Sequence, residues 1–145
     1  MLYRSDDLSQ IEFKEYLLKI TDSLKTIYAD ETRNLNINVK SDNVYFTVDK
    51  AVPCAIIINE LVTNSIKHAF KKNNTGKINI SLNRQNGFYN MNISDDGCGL
   101  RKDFNFHKSE SLGMTLVDSL ADQLDAEICV DNTQGTTFNF HFPVN

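Results

Sequence analysis

Cysteine pairing, long apolar runs and an excess of positive charge are all missing from this chain, and each absence removes a class of protein. The three cysteines, Cys54, Cys98 and Cys129, form no C-x-x-C pair. An odd, unspaced set argues against a disulfide framework and for reduced intracellular thiols. The longest apolar run, Ala55 to Ile58, is far short of a membrane span. The opening residues Met1-Leu2-Tyr3-Arg4-Ser5-Asp6-Asp7 carry no apolar signal-peptide core. The expectation is a cytoplasmic segment without membrane contact, whether the parent protein is soluble or anchored. Lysine and arginine number 15 against 19 acidic residues, a net charge of −4. Nucleic-acid backbones want clustered cations, so no nucleic-acid partner is expected. The doublet Lys71-Lys72 is accounted for as a helix end. Repeats, low-complexity stretches and internal linkers are absent too.

What remains is an ordinary globular composition, 41% hydrophobic and 23% charged in 145 residues. That suits one domain able to bury a core without metal or disulfide staples. Phe13, Tyr16, Leu17, Ile20, Leu24, Ile27 and Tyr28 recur at helical intervals and predict a helix over 9–29. Ser9 and Glu12 have the spacing of a capping box. Leu35, Ile37 and Val39 alternate with polar residues as a strand, and Val44 to Val48 reads as a second, with Ser41-Asp42-Asn43 turning between them. A long helix follows from about residue 49 or 50 to Phe70, with Pro53 early in it. Ile78, Ile80 and Leu82 open a hairpin that turns at Asn86-Gly87 and returns over Phe88 to Ser94. A helix over about 113–124 and strands over 126–131 and 136–142, joined through Gly135, complete the chain. The expected class is α+β: a two-layer sandwich with one mixed sheet of five or slightly more strands and three helices on one face. Strict βαβ alternation is missing, so a Rossmann fold is rejected.

Four segments carry the chemistry. On the helix over Asn59 to Phe70, Glu60, Asn64 and Lys67 share one stripe, opposite Ile58, Leu61, Val62 and Ala69. A carboxylate, an amide and an ammonium in line suit a metal–polyphosphate group. An ordinary solvated helix face is the plain alternative for Glu60 and Lys67. His68 lies near the helix C-terminus, where a cation is favoured in any case. Asp95-Asp96-Gly97-Cys98-Gly99 follows a strand. It is either a tight turn or a place where glycines admit a flat ligand while Asp95 accepts a hydrogen bond, as an adenine amino group would supply. Neither an EF-hand spacing nor a Walker A sequence is present. Gly113, in Ser111 to Val117, opens a helix and offers free N–H groups to a phosphate, or is a simple flexible cap. Gly135-Thr136-Thr137-Phe138, read alone, is a turn entering a strand. His107 and His141 lack metal-ligand partners and are read as structural or surface residues. Phe104 and Phe106 suit core packing, and Lys108 reads as a solvated lysine, with a lid residue reaching phosphate as the alternative.

In this order the four segments resemble the N box, the two glycine boxes and the closing Gly-Thr strand of the ATP-binding domain of sensor histidine kinases, in the superfamily shared with gyrase, Hsp90 and MutL (the Bergerat ATP-binding fold). Arg4 to Ser9 followed by Tyr16-Leu17 is similar to the entry of that domain in the short-lid subgroup. The resemblance implies that residues 1–8 are the remnant of a preceding dimerisation helix and 9–145 the catalytic domain. It implies Mg²⁺ on Asn64, and Glu60 by the γ-phosphate as an acid/base or water-positioning group. Lys67 would lie on phosphate and His68 by the sugar–phosphate region. Asp95 would read the adenine amino group, Gly97 and Gly99 would allow close approach, Gly113 would lie under the phosphates, and Thr136 near adenine through water. The implied activity is transfer of the γ-phosphoryl of Mg·ATP to a histidine on a dimerisation domain, with a response-regulator aspartate downstream. The pattern departs from the family in three respects. Only thirteen residues separate Gly99 from Gly113, a short lid; the second glycine box has one glycine; and no histidine has a phosphoacceptor's surroundings. A monomeric fragment that binds nucleotide but barely turns over is expected. A non-catalytic nucleotide-binding module, or an ATPase or serine kinase of the same superfamily, are the alternatives.

Overall fold

The computed structural model describes residues 10–70, 75–97 and 112–144. Helix α1 spans Phe13–Ile27 and buries Phe13, Leu17, Thr21 and Leu24, the stripe its spacing predicts. Its cap differs from expectation. Glu12 itself is the N-cap, its carboxylate accepting the Glu15 N–H at 2.7 Å; Ser9 lies outside the described residues.

Strand β1 (Ile11–Glu12) pairs antiparallel with β3 (Tyr45–Phe46). Strand β2 (Leu35–Ser41) runs parallel to β4 (Gly76–Gln85). The two strands expected on either side of the Ser41-Asp42-Asn43 turn therefore belong to different sheets. Phe46, 1% exposed, sits 5.0 Å from the Phe13 ring and 4.9 Å from Tyr89, so the aromatic core sets its position rather than the strand beside it in sequence. Asp42 also stays with β4, donating its N–H to the Leu82 carbonyl while its carboxylate accepts from Arg84.

Helix α2 (Val48–Asn64) crosses between the parallel strands and turns its apolar residues, among them Ile57, Ile58, Leu61 and Val62, into the core. Pro53 is buried past the first turn. The regular helix expected as far as Phe70 ends at Asn64, and Ser65–Ala69 form a π-helical turn. Strand β5 (Phe88–Asp95) follows β4 through Asn86 and Gly87, whose φ values of 55° and 81° make the mirror-image turn that matches strand twist. Helix α3 (Leu112–Gln123), β6 (Glu127–Asp131) and β7 (Thr136–Pro143) complete the described chain. At the β6–β7 connection Asp131 accepts from the backbone N–H and the hydroxyl of Thr133, which holds its carboxyl below the usual carboxylate range.

The five-stranded sheet runs β2-β4-β5-β7-β6, mixed in sense as expected. Alternation sends Ile78, Ile80, Leu82, Met91, Ile93, Phe138, Phe140 and Phe142 to one face, where they form a single core with the three helices. The opposite face is rich in amides, with Asn38 bonded to Asn79 and Asn92 to Asn139. Cys54 lies wholly inside, and burial pushes its thiol up to about 12 against the opposing charge of Lys50, whereas Cys129 is exposed. No described helix is long and apolar enough to cross a membrane.

Candidate functional site

The last inward-facing position of β5 is not apolar. In the phase of Met91 and Ile93 stands Asp95, 7% exposed, and directly across the ladder on β7 stands Thr136, 6% exposed. A buried carboxylate must be paired or hydrogen-bonded to persist. Here the Ser65 hydroxyl donates to Oδ2 at 2.7 Å and the Gly97 N–H to Oδ1 at 3.0 Å. Gly97 packs so closely on Ala69 that an added Cβ would lie 2.7 Å from the Ala69 Cβ and closer still to its carbonyl oxygen. Gly135, at φ 79°, presses against the Asp95 carbonyl; a side chain would be strained there and have no room. The π turn after α2, the end of β5 and the start of β7 thus converge on one carboxylate. Asp96 anchors the loop from outside by accepting the Lys77 N–H at 2.7 Å.

Further back along α2, Glu60 reaches the first turn of α3. A Cβ built on Gly113 would lie 2.7 Å from Glu60 Oε2. The glycine leaves room for that carboxylate, which sits at the positive end of the α3 dipole. Asn64, half-buried, stands one helical turn beyond Glu60 and directly before Ser65. Lys67 is exposed, with Nζ 5.7 Å from the centre of the Tyr28 ring. The π turn accounts for this: residues there advance less than 100° each, so Lys67 swings off the line through Glu60 and Asn64. His68 is exposed beside it. The structure therefore gathers Asp95, Gly97 and Thr136 at one end and Glu60 and Gly113 at the other. Gly99, Phe104, Phe106, His107 and Lys108 lie outside the described residues. His141 is a surface residue of the amide-rich face, stacked 4.3 Å from Phe88 with Nδ1 2.7 Å from the Asn90 side-chain oxygen.

At the Asp95 end this arrangement suits a ligand that donates from an amino group; at the Glu60 end a carboxylate and an amide offer oxygens to a cation. Among the described residues no group of three or more His, Cys, Asp or Glu could hold a metal. The oxygen donors present, Asn64 with Glu60 a turn away, fit the way Mg²⁺ is held by one or two protein oxygens plus the phosphates of its substrate.

The family model described as histidine kinase-, DNA gyrase B- and HSP90-like ATPase matches residues 49–145, two-thirds of the chain. The chain belongs to this family. Among curated relatives, the sensor histidine kinase PdtaS of Mycobacterium tuberculosis is 30% identical over 139 residues, covering 93% of this chain and 28% of that protein. Blue-light-activated histidine kinase 2 of Erythrobacter litoralis is 27% identical over 132 residues, covering 90% of this chain and 38% of that protein. The chain thus spans only about a third of these relatives. The histidine kinase domain of the Erythrobacter litoralis EL346 blue-light-activated kinase superposes with a TM-score of 0.85 at 27% identity, over 92% of this chain and 62% of that one. The Acinetobacter baumannii kinase AdeS, at 18% identity and a TM-score of 0.73, shares the fold.

For a member of this ATPase family, the geometry adds two residues that reading the sequence missed, Ser65 and Ala69. Ser65 carries a usable signal. It sits four residues after Leu61 and three after Val62, so it is a polar residue on the buried stripe and must find an internal partner. Ala69 carries none, since its part is to be small where Gly97 passes.

Proposed function

We propose that this chain is the ATP-binding catalytic domain of a sensor histidine kinase. It would transfer the γ-phosphoryl of Mg·ATP to a histidine on a separate dimerisation domain, within a two-component system that passes the phosphoryl group to a response regulator. The observation that carries the reading is the buried Asp95 carboxylate, fixed by Ser65 and Gly97 beside Thr136. It is a preformed acceptor for the amino group of adenine. The names of PdtaS and the Erythrobacter kinases support the activity.

Phosphoryl transfer asks a protein mainly for positioning and charge. Bound Mg²⁺ would neutralise the polyphosphate, with the Asn64 amide oxygen as its protein ligand. Glu60, to which Gly113 leaves room beside the start of α3, would act as an acid/base or water-orienting group near the γ-phosphate. Lys67 would leave the Tyr28 ring to reach phosphate, and His68 would border the sugar. Residues 9–145 would be the catalytic domain, cytoplasmic and monomeric by itself.

A second reading, a regulatory nucleotide-binding module, is favoured by one relative. The anti-sigma F factor of Bacillus subtilis is 29% identical over 101 residues, covering 63% of this chain and 68% of that protein. Two experiments decide. Calorimetric titration with ADP and Mg²⁺ should give saturable binding, and none at millimolar nucleotide would end the ATP-site reading. Incubation with labelled ATP and a matching histidine-bearing dimerisation domain should give an acid-labile phosphoprotein. Binding without transfer selects the regulatory module, and an acid-stable product selects a serine kinase.

A further inference from the structure

We propose that Ser65 is a positioning residue that sets the specificity of this pocket for 6-aminopurines, acting through Asp95. The inference rests on the reading that the pocket binds an adenine nucleotide. Ser65 is 8% exposed, continues the apolar stripe of α2 past its last residue, and opens the π turn. A buried hydroxyl costs stability unless it is hydrogen-bonded, and this one donates to Asp95 Oδ2 at 2.7 Å, thirty residues away in sequence. The Gly97 N–H takes the other oxygen. One donor on each oxygen fixes the plane of the carboxylate, which otherwise rotates freely about χ2.

Each carboxylate oxygen can accept two hydrogen bonds; among the described residues each takes one, and a ligand amino group would take the next, in a direction set by the two donors. Such an edge accepts from an exocyclic amino group and repels the carbonyl of a 6-oxopurine. π turns break the regular ladder and recur at functional sites, and the break here begins at the residue that touches the carboxylate. Removing the hydroxyl frees the carboxylate to turn, so the loss should fall on ligands that use the amino group and spare those that do not.

The test compares the 145-residue chain with Ser65→Ala and Ser65→Cys. Each is titrated by calorimetry with ADP and with purine riboside diphosphate, which lacks only the 6-amino group, and folding is checked by circular dichroism. In Ser65→Ala, affinity for ADP should fall about tenfold, the worth of one charge-assisted hydrogen bond. Affinity for the purine analogue should fall less than about twofold, so the preference for the amino group shrinks. Ser65→Cys, of similar volume with a weak donor, should shrink it as well, and decides the matter if the alanine variant does not fold. A preference unchanged in the folded variants, with both ligands weakened equally or neither weakened, overturns the proposal while leaving the ATP site standing. A wild-type chain that binds neither ligand overturns the underlying reading, and this proposal with it, before any variant is made.

Discussion

Replacing Gly97 by alanine is the sharpest single perturbation of the site. The residue lies between Asp95 and the π turn, and a methyl there would stand 2.7 Å from the Ala69 Cβ and carbonyl carbon. Ordinary van der Waals contact begins at 3.4 Å and the Ala69 carbonyl oxygen is nearer still, so the loop or the turn must retreat by more than about 0.7 Å. The obstacle is backbone and cannot swing aside. Overpacking of this kind costs about 1–3 kcal/mol. The same retreat pulls the Gly97 N–H off Asp95 Oδ1, a charge-assisted bond of 3.0 Å, so ADP affinity should fall about tenfold or more. Urea unfolding measures the first effect and calorimetric ADP titration the second. Gly87→Ala is the control. It has open space but a φ of +81°, so it should cost about 1 kcal/mol in stability and leave nucleotide affinity unchanged. Gly97→Ala with a wild-type urea midpoint and wild-type ADP affinity would refute the close packing of loop on helix.

Further outcomes follow from the same geometry. Asp95→Asn turns one acceptor into a donor facing either Ser65 or the Gly97 N–H, and should abolish measurable ADP binding; an affinity within about twofold of wild type would contradict the assignment. Asn64→Ala should bind ADP almost as well without metal but lose the gain that Mg²⁺ confers, read by titration with and without EDTA. The Cys54 thiol, normally near 9.0, is raised to about 12 in the folded chain. The folded state keeps its proton while the unfolded state loses it, so this contribution is intact below about pH 9 and declines by about 1.4 kcal/mol per unit as pH rises toward 12. Cys54→Ala should flatten the fall in urea stability between about pH 9 and about pH 10.5 relative to wild type, and parallel curves would disprove the linkage. Phe140→Ala, at a wholly buried ring, should cost about 3–5 kcal/mol, and a loss under about 1 kcal/mol would show that the core lies elsewhere.

Much of the site was legible because its signals are local. The phase of β5 runs Met91, Ile93, Asp95, and period two alone carries the carboxylate inward. Asn86-Gly87 and Gly135 announce their turns by residue type, and both have the positive φ that those turns require. The stripe of Glu60 and Asn64 holds as far as the helix stays regular and leaves Lys67 off its line, because the π turn that opens at Ser65 has changed the helical period by then. That the strands flanking the Ser41-Asp42-Asn43 turn join different sheets has a different reason. Two adjacent alternating segments look like partners, but Phe46 belongs to an aromatic cluster with Phe13, Tyr89 and Phe142 that draws β3 away from β2.

By itself, then, the order of residues determined the elements, the faces they bury, and the segments that carry carboxylate, amide and glycine chemistry, since periodicity and turn chemistry act over a few neighbours. Only the tertiary structure decided which elements meet. It ran β2 parallel to β4, laid Glu60 over Gly113, and closed Ser65 onto Asp95. Those contacts join residues tens of positions apart, and what selects them is the shared core of helices on one sheet face, which no local pattern contains.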